Sequence, residues 1–361
     1  MFTRREFIKE TTGTAAGIVF TGCSLMGTSQ VRAQTRPSGT RREVVVAGRR
    51  ARVIDVHAHC TIPEAHTLLG LDPQSSFGPG LDEVGQRRIS EMDEQGIDME
   101  VLSINPAWYG AERDVATQVV RLQNEKLAEF CANYPDRFAA FASLALQFPD
   151  LAVQQLEESV KKLGLRGAAI GGSVAESEFS DPKFHPVWAK AEELGAVLFI
   201  HPQSTPALAS RFKGNGWLSN TIGNPLDTTI ALEHLIFEGT LDRFPGLKIC
   251  AAHGGGYLPS YAPRMDHACR VNPAACNPNI VLKKKPTEYL RSLYFDTLVF
   301  TPNALRHLIA EVGASQLIIG TDHPYPWNPD AVDHVLDTPG LTDAEKVAIL
   351  GGNAATLLNI T

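Results

Sequence analysis

The sequence predicts an α/β protein built as a (β/α)8 TIM-type barrel, and three observations point there. Short, nearly continuous apolar runs alternate with longer helical patterns, as parallel strands covered on both faces do. There are eight such runs, at residues 52–56, 99–104, 138–144, 167–170, 196–200, 247–252, 293–296 and 316–320, the number that closes a barrel. After the first run the chain reads His57-Ala58-His59-Cys60. A dinucleotide-binding open sheet would need Gly-x-Gly-x-x-Gly at that position.

Taken in order, residues 1–40 read as leader and linker. Thr3-Arg4-Arg5-Glu6-Phe7-Ile8-Lys9 matches the twin-arginine export pattern, and a weakly apolar stretch at 13–20 follows it. That stretch is too short to span a bilayer as a helix. The expectation is a periplasmic or otherwise extracytoplasmic protein that uses the twin-arginine export machinery. Two processing sites compete: Phe20-Thr21-Gly22-Cys23 resembles a lipobox that would anchor the chain by a lipid at Cys23, and Val31-Arg32-Ala33 offers a small-residue cleavage site.

Residues 41–361 read as a single barrel domain. Residues 42–46, with a turn at Ala47-Gly48, predict a hairpin ahead of the first strand. Helical patterns fall at 115–133, 151–163, 183–194, 226–242 and 302–312. The second of these repeats apolar residues at Leu151, Val153, Leu156, Val160 and Leu163, and Asp150 stands before it as a cap candidate.

Composition narrows the function. The 361 residues are 43% hydrophobic and 20% charged, with a net charge of -7, which argues against a nucleic-acid partner because phosphate binding needs a basic face. The cluster Lys283-Lys284-Lys285 reads as a solvated loop before Pro286. Of the six cysteines, none lie in a C-x-x-C pair, so a disulfide framework is not expected, although Cys269 and Cys276 are close enough to pair. The others read as small buried hydrophobes.

Barrel active sites form where the C-terminal ends of the strands converge. The first strand ends in Asp55-Val56-His57-Ala58-His59, the fifth in His201-Pro202, the sixth in His253-Gly254-Gly255-Gly256 and the eighth in Gly320-Thr321-Asp322. His-x-His on a strand points both imidazoles to one side. Alone the motif is weak, His201 could be an ordinary buried histidine, and Asp322 could cap a helix. All four at strand ends on one face predict one divalent ion held by His57, His59, His201 and Asp322. The mixed nitrogen and oxygen set suits zinc (Zn2+) and tolerates manganese (Mn2+). His253 is read as the catalytic acid/base or electrophile, the alternative being a fifth ligand or a ligand of a second ion. No lysine ends the fourth strand, so a carbamate-bridged pair of ions is not expected.

These motifs, with Glu91-Met92-Asp93, Pro135-Asp136-Arg137-Phe138, Gly223-Asn224-Pro225, Arg243-Phe244-Pro245, Tyr294-Phe295-Asp296 and Gly352-Asn353-Ala354, resemble the amidohydrolase superfamily. Within it they are similar to the amidohydrolase-related branch that holds aminocarboxymuconate-semialdehyde decarboxylase and the resorcylate-type decarboxylases. The likeness runs over residues 53–358 and implies a metal-dependent hydrolase fold and a homodimer. Carried over by residue, it implies His57, His59, His201 and Asp322 as metal ligands and His253 as the catalytic histidine. The chain departs from the aminocarboxymuconate enzymes at 60–81, which contains no arginine or lysine where their loop carries a carboxylate-gripping arginine. Arg211 or Lys213 could replace that arginine, though both read more simply as solvent-facing.

The expected reaction is non-oxidative decarboxylation of a small unsaturated or aromatic carboxylic acid, with His253 and Asp322 handling the proton. The alternative on the same site is hydrolysis of a lactone, ester or amide by metal-bound hydroxide. A third reading, a binding protein on a degenerate barrel, ranks last because the ligand set is complete.

Overall fold

The computed structural model describes residues 41–72, 81–175, 177–203 and 205–360. The twin-arginine motif, Cys23 and the 31–33 cleavage site lie outside the described residues. Within them, eight parallel strands follow one another: β1 (Ile54–His59), β2 (Met99–Ser103), β3 (Phe138–Ala140), β4 (Gly167–Ile170), β5 (Val197–Ile200), β6 (Lys248–Ala251), β7 (Tyr294–Asp296) and β8 (Leu317–Ile318). They pair as β1-β2-β3 and β4-β5-β6-β7-β8. Parallel bridges Ala142↔Ala168 and Ala58↔His323 join the two groups at both seams, so the sheet closes on itself.

The outer layer alternates with the strands: α1 (Leu81–Gln95), α2 (Arg113–Asn133), α3 (Pro149–Lys161), α4 (His185–Leu194), α5 (Asn224–Phe237), α6 (Leu258–Val271), α7 (Pro302–Val312) and α8 (Asn353–Leu358). Helix α7 shows why such segments form. Thr301 accepts the Ala304 N–H as an N-cap, and Leu305, Leu308 and Val312 make the buried stripe, one face of a 3.6-residue period.

Two cores result from strand alternation. Val197 and Phe199 of β5, Met99 and Val101 of β2, Cys250 and Ala252 near β6 and Ile318 of β8 fill the barrel interior, with Leu357 and Leu358 of α8 in the same cluster. Leu198, Ile200, Ile249, Ala251, Leu317 and Ile319 point outward to the helices. Continuing the inward parity to the end of β2 and past the ends of β5 and β8 reaches Ser103, His201 and Asp322. In β1 the parity changes. Ile54 and Val56 are interior and Ala58 is exterior, because the register shifts between Asp55 and Ala58. This bulge turns His57 and His59 toward the interior as well.

Several expectations are corrected. Asp150 does not cap α3; it lies inside the first turn and pairs with Arg113. The 226–242 pattern breaks at Gly239, whose φ of 73° separates α5 from a short turn at Thr240–Arg243, because the left-handed conformation suits glycine and ends the helix. The third and eighth strands are shorter than their apolar runs. Cys269 and Cys276 form a disulfide at the end of α6, while Cys60 and Cys250 are buried and free. The hairpin forms as expected, with Val45 opposite Arg50 and Val46 opposite Arg49.

Candidate metal centre

His57 and His59 leave β1, His201 follows β5 and Asp322 follows β8. The four are buried, and one ligand atom from each falls within 4.8 Å of all the others. His57 Nε2 and His59 Nε2 are 3.1 Å apart, and Asp322 Oδ1 lies 3.2 Å from the first and 3.0 Å from the second. Both ring nitrogens of His201 and Oδ1 of Asp322 are buried without a hydrogen-bond partner, an arrangement that is costly for polar atoms unless a cation meets them. The residues present therefore fit a single divalent ion.

The neighbours of the imidazoles decide which nitrogen faces that point. His57 Nδ1–H donates to Asp296 Oδ2 at 2.6 Å, since a carboxylate only accepts. The Ser103 hydroxyl donates to the Ala58 carbonyl at 3.1 Å and so accepts from His59 Nδ1–H at 2.9 Å. In both neutral rings the Nε2 lone pair is then turned inward, the tautomer a metal ligand needs. Asp296 also accepts the backbone N–H groups of His253, Gly254 and Leu298 at 2.8, 2.8 and 3.0 Å. Neither Ser103 nor Asp296 was given a role by the sequence reading. The signal available was their place at inward positions of strand ends.

A second layer supports the first. Arg88, fully buried, donates from Nε to Glu100 and from Nη1 to the His59 carbonyl at 2.6 Å. Glu100 also takes His323 Nδ1 at 2.8 Å, and Glu91 meets His323 Nε2 at 3.1 Å. Gly320 has no room for a side chain: a Cβ there would sit 2.9 Å from Asp296 Cβ and 3.0 Å from His57 Cβ.

The electrostatics follow from burial and from the packed carboxylates. Burial opposes charge on His57, but Asp322 and Asp296 outweigh it and push its pKa up to about 10. Burial, reinforced by His59, His57 and His253, holds His201 well below the usual histidine range. Burial raises Asp322, yet His57, His253 and His59 keep it well below the usual carboxylate range.

His253 stands apart from the ligand set. Its Nε2 is 3.8 Å from Asp322 Oδ2, on the carboxylate oxygen facing away from His57 and His59. Its backbone is left-handed, with φ 57°, a conformation held by the two N–H bonds to Asp296. A cavity of about 470 Å³ opens over His59, His201, His253 and Asp322, bounded by Asn220, Asn224, Trp217, Tyr325 and Trp327. Arg211 and Lys213 are exposed and do not line it, in line with the solvent-facing reading.

Residues 54–360 match the family model described as Amidohydrolase. The chain is 31% identical over 276 residues to 2-amino-3-carboxymuconate-6-semialdehyde decarboxylase of Dictyostelium discoideum, covering 76% of each chain. It is 31% identical over 332 residues to gamma-resorcylate decarboxylase of Rhodococcus jostii strain RHA1, covering 85% of this chain and 98% of that one. Among solved structures it is similar to a dihydroxybenzoic acid decarboxylase from Polaromonas sp. JS666 with bound manganese and the inhibitor 2-nitroresorcinol. There the TM-score is 0.73 and the identity 28%, over 86% of this chain and 97% of that one.

Proposed function

Because the chain belongs to the amidohydrolase family, we propose that it is a metal-dependent carboxy-lyase that removes carbon dioxide, without oxidation, from a small aromatic or unsaturated carboxylic acid. The observation that carries the reading is the divided use of Asp322. Oδ1 faces His57 and His59, while Oδ2 faces His253. His57, His59, His201 and Asp322 would hold one divalent ion, which when bound supplies Lewis-acid polarisation of the substrate oxygens.

The chain's own residues supply the rest. Loss of carbon dioxide breaks a carbon–carbon bond and leaves its electron pair on the carbon, which must take up a proton. His253 and Asp322 hold that proton at the cavity floor, on the side away from the other ligands. Asp296 keeps both His57 and the His253 backbone in place. Tyr325, Trp217 and Trp327 bound the space. The names of the relatives favour decarboxylation over hydrolysis of a lactone, ester or amide. Headspace carbon dioxide against pH-stat acid release on a panel of carboxylic acids and lactones tests the choice: carbon dioxide without acid release is expected, and the reverse would overturn the reading.

Zinc is the ion proposed from the three imidazoles and one carboxylate, with manganese the alternative, supported by the manganese in the Polaromonas enzyme. The proposal also takes residues 41–361 as one domain acting as a homodimer, with export through the twin-arginine route. The motif at 3–9 and the Cys269–Cys276 disulfide support export, since disulfides persist in oxidising compartments.

A further inference from the structure

We infer that the site is built for an aromatic acid carrying a single negative charge, and that Trp217, Trp327, Asn220 and Asn224 set that choice. This rests on the decarboxylase reading above and narrows its substrate.

The first support is charge. Among the described residues that line the cavity and its adjoining lobe, none is lysine or arginine. The sequence between Cys60 and Leu81 adds no such residue. Arg88, behind the ligands, is committed to Glu100 and the His59 carbonyl. A divalent ion beside the Asp322 carboxylate leaves one net positive charge, which one substrate carboxylate neutralises. A second carboxylate on the same molecule would be drawn out of water with no lysine or arginine to meet it, and a poorly compensated charge in a partly buried site is disfavoured.

The second support is shape and polarity at the mouth. The rings of Trp217 and Trp327 stack with centroids 5.7 Å apart and planes 15° from parallel, joining the loops after β5 and β8. Phe300 approaches Trp327 at 6.1 Å. Trp217 is 56% exposed in a left-handed conformation with φ 49°. A large aromatic held out toward solvent in an unfavourable backbone conformation points to a binding role. Its face and that of Trp327 suit a flat ring. Asn220 and Asn224 line both the cavity and the lobe, offering neutral donors and acceptors that match hydroxyl or carbonyl substituents and bring no positive charge to a second carboxylate.

Calorimetric titration of the metal-loaded protein with salicylate and with carboxysalicylate, the same ring bearing a second carboxylate, tests the inference. Salicylate should bind at least tenfold more tightly. Trp217→Ala and Trp327→Ala should each weaken salicylate binding several-fold, with Trp327→Phe restoring most of it. Asn220→Lys, which adds the missing cation, should shift the preference toward carboxysalicylate. Equal or tighter binding of carboxysalicylate by the unaltered protein, no binding of either acid at millimolar concentration, or indifference to the tryptophan changes would overturn the inference. Carbon dioxide is followed in the same samples. The expected binding preference with no carbon dioxide from any aromatic acid would sink the decarboxylase reading alone, and turnover of both acids alike would sink this inference alone.

Discussion

Asp296 Oδ2 sits 2.6 Å from His57 Nδ1, with both side chains fully buried, and the same carboxylate accepts the His253 and Gly254 N–H groups. One side chain thus orients a candidate metal ligand and shapes the loop carrying the candidate acid/base. Asp296→Asn keeps the volume but loses the negative charge and one acceptor site. Affinity for the divalent ion should fall about 10- to 100-fold, as when other outer partners of metal-bound histidines are lost. Chelator competition measures it, and an unchanged affinity would remove Asp296 from the account.

His253→Ala separates proton handling from metal binding. Turnover should fall by about 10²- to 10⁴-fold, the usual contribution of a positioned acid/base, while metal content measured by elemental analysis stays as in the unaltered protein. Loss of the ion in this variant would make His253 a ligand and overturn its assignment.

Much of this was legible in the sequence. His57, His59, His201 and Asp322 could be read because each closes an apolar strand run, and strand ends converge in a barrel. What was not legible depends on contacts between distant segments. Asp296 looked like one more strand-end acid until the fold set it against His57. The β1 bulge, which aims His57 and His59 inward past Val56, leaves no mark on an apolar pattern. Trp217 and Trp327 sit on loops after different strands, so their stacking needed coordinates. Asp150 failed as a cap for a local reason: Pro149 already begins the helix, and Asp150 falls within the first turn.

The raised pKa of His57 gives a pH dependence. In the ion-free protein a folded value of about 10 against an ordinary 6.5 contributes stability that is fully present below 6.5 and lost as pH rises through about 10. A bound ion takes the place of that proton. The rise in Tm on adding the ion should therefore grow with pH upward from 6.5, as differential scanning calorimetry would record. A Tm difference that shrinks over that range would contradict the proton–metal exchange.

Asp227 of α5 offers a second titration, on a residue outside the ligand set. Burial pushes its pKa up to about 6, with Glu178 adding to the effect and the Gln203 N–H bond opposing it. For an acid with a raised folded value the native state binds the extra proton, so stability falls as pH rises from 3.8 through about 6. Asp227→Asn keeps an acceptor for Gln203 and removes that fall. It should stabilise the protein above pH 6 by up to about 3 kcal/mol, read from urea unfolding, with no gain near pH 4. Destabilisation above pH 6 would show that the ionised carboxylate is needed.

The central claim is that one ion on His57, His59, His201 and Asp322 drives decarboxylation. Its most direct test is titration of a divalent ion into metal-stripped protein while carbon dioxide is released from an aromatic acid substrate. The account predicts no release without the ion and activity that saturates at one equivalent per chain. Release from the stripped protein, or saturation only at two equivalents, would contradict it.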